Sequence, residues 1–568
     1  VYVGYSEDSF TPSEFDLTPY LRAGENKLAV QVFKWTSSSW CEDQDFFRFS
    51  GIFRDVVLYT KPTCHLEDLF VRTTLEENNT KALISLSLRY EYLRMSEAND
   101  FCAEYRVYSP DGKELVRFTK PVEGRPALNE TVSAETLTTP DVYTQQLSIK
   151  LEQPLLWSAE NPRLYTLKIF IRHLDADGKT TGLVEQIVQK VGIRTFSLQN
   201  GIMELNGRRI VFKGVNRHEF CAHSGRSLPY ELQKQDVLNM KRNNINAVRT
   251  SHYPNSGCFY ELCDSEGIYL VNETNLETHG CVYRDGARPD DEISIPADKP
   301  EWLAAVLDRA NSMFERDKNH PSVLLWSCGN ESSGGFDIYQ MSQLFHAKDE
   351  TRLVHYEGLC HDERYPDTSA EIASYLKDHR EKPFVSCEFS HSMGNSTGNF
   401  DEYTELTETE PLYQGGFIWD YVDQAMEATN AGGESYLGYG GDFADRPHDA
   451  DFSGNGIMFA DRTPSPKLVQ VKHDYQNFHI TVQHDRVILK NLSLFEGTEP
   501  YRFVAVLTKN GERVREDELP VRVAAGSEAI YLLPYDARVI SAERSDGEYL
   551  VTVSVLLKKD RSYASSMK

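Results

Sequence analysis

Apolar and polar residues alternate along Lys27-Leu28-Ala29-Val30-Gln31-Val32-Phe33-Lys34-Trp35 and again along Gly51-Ile52-Phe53-Arg54-Asp55-Val56-Val57-Leu58-Tyr59. A period of two puts alternate side chains on one face, so both stretches predict strands. Val1 to Tyr5 is strand-like as well, so residues 1–61 are expected to be part of a longer β domain. Residues 62–194 carry further strand runs with turn residues between them: Leu83 to Tyr92, Phe101 to Tyr108, Gln145 to Leu151 and Tyr165 to Ile171. That spacing predicts an immunoglobulin-like β-sandwich.

The pattern changes near residue 195. Apolar runs at Arg209 to Val215, Ala247 to Ser251, Ile268 to Asn272 and Val323 to Ser327 now alternate with helical stretches at Pro229 to Asn243, Cys258 to Glu266 and Trp302 to Arg316. Strand–helix alternation predicts a parallel sheet, and over 195–478 a (β/α)8 TIM barrel. Arg352 to Tyr356, Phe384 to Cys387 and Gly416 to Asp420 add strands. From 479 to 568 the pattern returns to β, at Val487 to Leu492, Phe503 to Leu507 and Tyr549 to Leu557, and predicts a second β-sandwich. One count falls short. A βα step takes roughly 30 residues, so a single step fits between the strands at Leu353 and Phe384. That leaves seven strands, which are not expected to close this barrel. Residues are expected to be missing near Thr368-Ser369-Ala370, where a turn runs straight into a helix from Glu371 to Leu376.

At 568 residues the chain exceeds a single core, and about three to five domains are expected. A net charge of −26 argues against nucleic acid and anionic membrane as partners, and no run of about 18 apolar residues suggests a membrane span. Val1 to Asp8 lacks the basic and apolar regions of a signal peptide. Ten cysteines without a CxxC pair fit reduced thiols in a cytoplasm.

The candidate chemistry lies at the strand ends. The runs Trp326-Ser327-Cys328-Gly329-Asn330-Glu331 and Phe384-Val385-Ser386-Cys387-Glu388 both end in a glutamate. The C-terminal ends of barrel strands are where this fold places its catalytic groups. Two carboxylates there are the minimum equipment for cleaving a glycosidic bond, although a single glutamate at such a place more often caps or pairs with the next helix. His218, His252, His279 and His391 also follow strand runs and are expected to line a polar pocket. The segment from His218 to His223 fails as a zinc-protease motif, because Ala222 stands where the second histidine is needed. In Glu277-Thr278-His279, residues i and i+2 of an extended strand end point the same way, as a divalent-ion site requires. Trp419 ends the last strand and offers a face on which a sugar could stack.

These motifs resemble, in order and over nearly the whole chain, the bacterial LacZ-type β-galactosidases of glycoside hydrolase family 2. The resemblance rests on Gly214 to Glu219, Asn246 to Pro254, Glu277 to Gly280, Asn319 to Val323, Gly329 to Ser332, Cys387 to Asn395, Gly416 to Gln424, Tyr439 to Phe443 and Asn455 to Arg462, with Phe15 to Asn26 and Glu42 to Val56 ahead of them. It implies a jelly-roll sugar-binding-type domain at 1–61, and a retaining hydrolysis of β-galactosides. Glu388 would then be the nucleophile and Glu331 the general acid/base. Glu277, His279 and Glu331 would be ligands of Mg2+. Asp45, the carbonyl of Phe452, and Asn455 would hold a monovalent cation, Na+ or K+. His218, His252, Asn330, His391 and Trp419 would contact galactose, together with Asp45 and Asn455. The resemblance also implies a homo-oligomer in the full-length form.

The family carries further sequence before Val1, a strand between Thr368 and Ile372 with a Met-Tyr pair, and a last large β domain, so this chain is expected to be part of a longer enzyme. The alternatives are a family-2 glycosidase of other preference, such as a β-glucuronidase, and a non-catalytic carbohydrate-binding protein. Asp45 and Asn455 favour galactose, since a uronate pocket calls for a basic residue there. Intact Glu331 and Glu388 favour catalysis.

Overall fold

A computed structural model describes residues 1–92, 100–126, 144–282, 294–359, 368–535 and 547–566. The first β-sandwich is built from β1 (Cys64–Glu76), β2 (Lys81–Tyr92), β3 (Phe101–Tyr108), β4 (Glu114–Pro121), β5 (Gln145–Glu152), β6 (Leu164–Leu174) and β7 (Thr180–Gly192). Strands β1, β2 and β5 form one antiparallel layer, and β4-β3-β6-β7 the other. Their inward positions alternate, so Ile84, Leu86, Leu88, Tyr90, Tyr105, Ile169 and Ile171 share one core. A second, smaller pair of three-stranded antiparallel sheets follows the barrel, between Phe478 and Leu557.

Between the sandwiches lies a parallel sheet of seven strands: β8 (Phe212–Asn216), β9 (Ala247–Arg249), β10 (Tyr269–Glu273), β11 (Val323–Ser327), β12 (Leu353–His355), β13 (Phe384–Phe389) and β14 (Tyr413–Ile418). Their order is β12-β11-β10-β9-β8-β14-β13, every pair parallel. The strands are apolar almost throughout, as burial on both faces requires. Helices α1 (Tyr230–Arg242), α2 (Gly257–Glu266), α3 (Pro300–Asp317) and α4 (Phe336–Lys348) cover them.

Among the described residues the strand count of seven holds, and no ladder joins β12 to β13. Among the described residues the sheet curls without closing. Thr368, Ser369 and Ala370, where residues were expected to be missing, are described and run directly into a helix, while 360–367 just ahead of them lie outside the described residues. The following helix starts at Ser369 rather than Glu371, because the Thr368 hydroxyl accepts from the Glu371 backbone N–H in a capping box.

One expectation is corrected. Among the described residues, 1–63 contain no strand; they hold two short 3-10 turns and an isolated bridge. Leu28, Val30 and Val32, which should have lined a buried face, are 62%, 61% and 48% exposed. Alternation provides a strand with a face to bury, but a strand needs a hydrogen-bonded partner, and none of the described segments supplies one. The same region nevertheless docks on the barrel. Asp43 N–H donates to the Glu277 carbonyl, and Glu277 N–H to the Cys41 carbonyl, so residues 41–45 run alongside 277–279. Arg309 on α3, 1% exposed, anchors Glu42 at 2.8 Å.

Candidate active site

Each barrel strand delivers its side chains at the C-terminal end, as the fold dictates. β11 runs out through Cys328 and Gly329 to Asn330 and Glu331. Gly329 has φ +115°, and a Cβ there would lie 2.6 Å from the Leu276 carbonyl oxygen, so only glycine makes this turn. Glu388 stands near the end of β13. Glu331 and Glu388 are partly open, with side chains 30% and 28% exposed.

Arg249 at the end of β9 organises one side of the site. Its fully buried guanidinium grips Glu273 at 2.7 and 3.0 Å, and donates to Asn216 Oδ1 at 3.0 Å, Asn330 Oδ1 at 2.9 Å and Glu388 Oε1 at 2.8 Å. Burial alone would raise the Glu273 carboxyl, but Arg249 and His252 outweigh it and hold Glu273 down to about 2. Asn330 spends its oxygen on Arg249 and donates through Nδ2 to Glu277 at 3.1 Å. It therefore links the two halves of the site.

The other side is acidic. His279 Nδ1 lies 2.8 Å from Glu331, 3.5 Å from Asp45 and 3.8 Å from Glu277. Ligand atoms of Asp45, His279 and Glu331 all fall within 4.8 Å of one another. Burial, then the charges of Glu331 and Asp45, push the Glu277 carboxyl well above its ordinary range. Hydrogen bonds to Asp45 and Glu331 raise His279 to about 11. Three carboxylates converging on one imidazole form a hard oxygen-and-nitrogen donor set of net negative charge, which fits a divalent cation.

The histidines divide into three groups. His252 stacks on the Trp419 indole at 5.0 Å and 17°, while His218 meets the same indole edge-on at 5.5 Å and 85°. His279 belongs to the acidic cluster, and His391 is exposed, its ring 5.8 Å from that of Phe452. Trp419 is only 4% exposed, with His252 over one of its faces, so it serves the pocket wall more than an open platform. Asn455 is buried and donates to the Phe452 carbonyl at 2.7 Å, and its Oδ1 has no partner among the described residues. Asp45 makes its contacts with the His279 group, and no hydrogen bond joins it to Asn455 among the described residues.

Sequence reasoning missed Arg249, Glu273, Tyr253 and Glu357. Glu273 ends its strand just as Glu331 and Glu388 do, yet it is 0% exposed and ion-paired, the ordinary structural fate of such a residue. Arg249 was visible as a charge inside an apolar strand, which demands a buried partner. Glu357, just beyond β12, accepts a hydrogen bond from the Cys387 thiol at 2.9 Å and so ties the two open edges of the barrel. Burial, then the charge of Glu388, pushes Glu357 up to about 7.

Family models agree with this architecture. The model described as "Glycosyl hydrolases family 2, TIM barrel domain" matches residues 196–480. The chain belongs to glycosyl hydrolase family 2. The family's sugar binding domain matches 1–62, a further family 2 domain 64–194, and "Beta-galactosidase, domain 4" 487–567. The chain is 47% identical over 544 residues to a protein named "Beta-galactosidase" of Clostridium acetobutylicum, covering 94% of this chain and 57% of that one. A "Beta-galactosidase large subunit" of Leuconostoc lactis is 41% identical over 487 residues, covering 84% of this chain and 73% of that one. This family 2 chain spans about half the length of the first curated relatives it matches, 57% and 54%. Among solved structures, a β-glycosidase from Bacteroides vulgatus superposes with a TM-score of 0.60 at 20% identity, covering 92% of this chain and 68% of that one, and shares the fold.

Proposed function

We propose that the chain carries the catalytic centre of a retaining β-galactosidase that removes terminal β-D-galactosyl residues from lactose-like substrates. One observation carries the reading: two partly open glutamates at barrel strand ends have opposite partners, Arg249 for Glu388 and the acidic His279 cluster for Glu331. In the first step a Glu388 oxygen bonds to the anomeric carbon as the bond to the leaving oxygen breaks. That oxygen takes a proton from Glu331. In the second step Glu331 takes a proton from water, the water oxygen bonds to the anomeric carbon, and the ester to Glu388 breaks.

Glu277, His279 and Glu331, with Asp45 beside them, would hold Mg2+. Bound there, the ion supplies positive charge that offsets the converging carboxylates. Asp45, the Phe452 carbonyl and Asn455 would hold Na+ or K+, and the partnerless buried Oδ1 of Asn455 supports a ligand at that place. We place the enzyme in a cytoplasm, since the nine described cysteines are free thiols. A homo-oligomer in the full-length form is proposed from the family resemblance alone, and the relatives named as large subunits point instead to a second kind of chain as partner.

The rival sugar preference, β-glucuronidase, is named in several structures that share the fold at 17–21% identity. The acidic Asp45 beside Glu331 opposes it, since a uronate would be repelled there. Comparing hydrolysis of an aryl β-galactoside and an aryl β-glucuronide tests the proposal. Turnover of the galactoside, lost in Glu388→Gln, is expected. Preference for the glucuronide would reject it.

A further inference from the structure

Tyr253 fixes which nitrogen of His218 carries the proton. The Tyr253 oxygen accepts from the Glu219 backbone N–H at 3.1 Å and from the Arg226 guanidinium at 2.6 Å. Neither of those partners can accept in return. The phenol has one proton to give, and the remaining neighbour is His218 Nδ1 at 3.1 Å. Burial, outweighing the charges of Arg226 and the Glu219 N–H bond, raises the Tyr253 pKa, so the phenol keeps that proton. His218 Nδ1 is therefore the acceptor, and the imidazole proton sits on Nε2. That atom is buried and has no hydrogen-bond partner among the described residues. His218 stays neutral because burial, and then His252, Arg226 and Arg249, hold its pKa well below 6.5.

His252, beside it at 5.6 Å between ring centroids, is set the other way. Its Nδ1 lies 2.8 Å from the Glu273 carboxylate, an acceptor only, and 3.3 Å from the Arg249 guanidinium, a donor only; the shorter contact assigns Nδ1 a proton. Two adjacent imidazoles on the Trp419 wall thus have different nitrogens assigned by different neighbours.

We propose that Tyr253 is a positioning residue for the sugar site: it locks His218 as an Nε2–H donor that is left free for a substrate hydroxyl oxygen. The proposal rests on the pocket being a glycoside site. It assigns a specificity role to a side chain that need not touch the sugar.

The test is two-bond proton–nitrogen correlation NMR of the 15N-histidine-labelled chain, with His218→Gln to assign the signal. The lock requires His218 to show a protonated Nε2 and a bare Nδ1 at neutral pH, and requires that pattern to be lost in Tyr253→Phe. A proton on Nδ1 in the wild-type chain overturns the proposal, and so does an unchanged pattern in Tyr253→Phe. The wild-type spectrum decides even if the variant does not fold. The second readout compares kcat/KM for an aryl β-galactoside and its monodeoxy analogues. Tyr253→Phe should shrink the preference for the parent over one analogue by about three- to tenfold, the effect of one hydrogen bond. An equal fall on every substrate would mean a merely structural role and reject it. The expected spectra without turnover of any glycoside would support the lock and count against the glycosidase reading instead.

Discussion

Arg249 Nη1 lies 2.8 Å from Glu388 Oε1 while the same guanidinium grips Glu273 on its other edge. The planar fork lets one cation orient Glu388, the proposed nucleophile, and neutralise a fully buried carboxylate together.

Arg249→Lys should therefore separate activity from binding poorly and lower kcat/KM about 30-fold or more, equivalent to about 2 kcal/mol. A lysine cannot span Glu273, Asn330, Asn216 and Glu388 from one point charge. Arg249→Ala also strands Glu273 without its partner, and should cost about 3–5 kcal/mol of stability in chemical denaturation. Wild-type kinetics in the lysine variant would show that the fork is dispensable.

Glu331→Gln should lose about a hundred- to ten-thousandfold in kcat on alkyl galactosides, the usual worth of a general acid. The loss should shrink with a leaving group as acidic as dinitrophenol, which needs no proton. An equal loss for both leaving groups would place the acid elsewhere.

Glu357 offers a stability test with a defined sign. Its carboxyl is raised from 4.5 to about 7 by burial and by Glu388, so the folded state holds its proton longer than the unfolded chain. Stability contributed by that proton is full below about pH 4.5 and is lost as pH rises toward 7. Glu357→Gln should match the wild type at pH 4.5 and exceed it above pH 7, by on the order of 2 kcal/mol given partial exposure. Equal unfolding midpoints at both pH values would contradict this.

Chelation should lower galactosidase activity, and Mg2+ should restore it. Burial and the charges of Glu331 and Asp45 favour the protonated form of Glu277, so protons compete with the ion. Mg2+ binding measured by calorimetry should tighten as pH rises, and should weaken about tenfold or more in Glu277→Ala. An affinity independent of pH would argue against this donor set.

Much of this architecture was legible from residue order. Phe101–Tyr108 and Tyr549–Leu557 form strands at the expected residues, because alternation and flanking turns act locally. The seven-strand count came from the apolar runs, together with an interval between Leu353 and Phe384 long enough for only one βα step. Residues 27–35 misled for the opposite reason: strand pairing is non-local, and a pattern cannot announce its partner. The site was legible in the same measure. Glu331 and Glu388 share their signal with Glu273, and only burial separates them. Asp45 reaches His279 through the bridge of Glu42 to Glu277, a contact between distant segments that spacing does not reveal. The Tyr253–His218 pair depends on counting donors around one oxygen, which needs coordinates.

The central assignment is that Glu388 forms the covalent bond. Incubating the chain with a 2-deoxy-2-fluoro-β-galactosyl fluoride, followed by digestion and mass spectrometry, tests it directly. The fluorosugar should accumulate on the peptide containing Glu388 and be absent in Glu388→Gln. A label on Glu331 or another residue, or steady turnover of an aryl galactoside by Glu388→Gln, would contradict it.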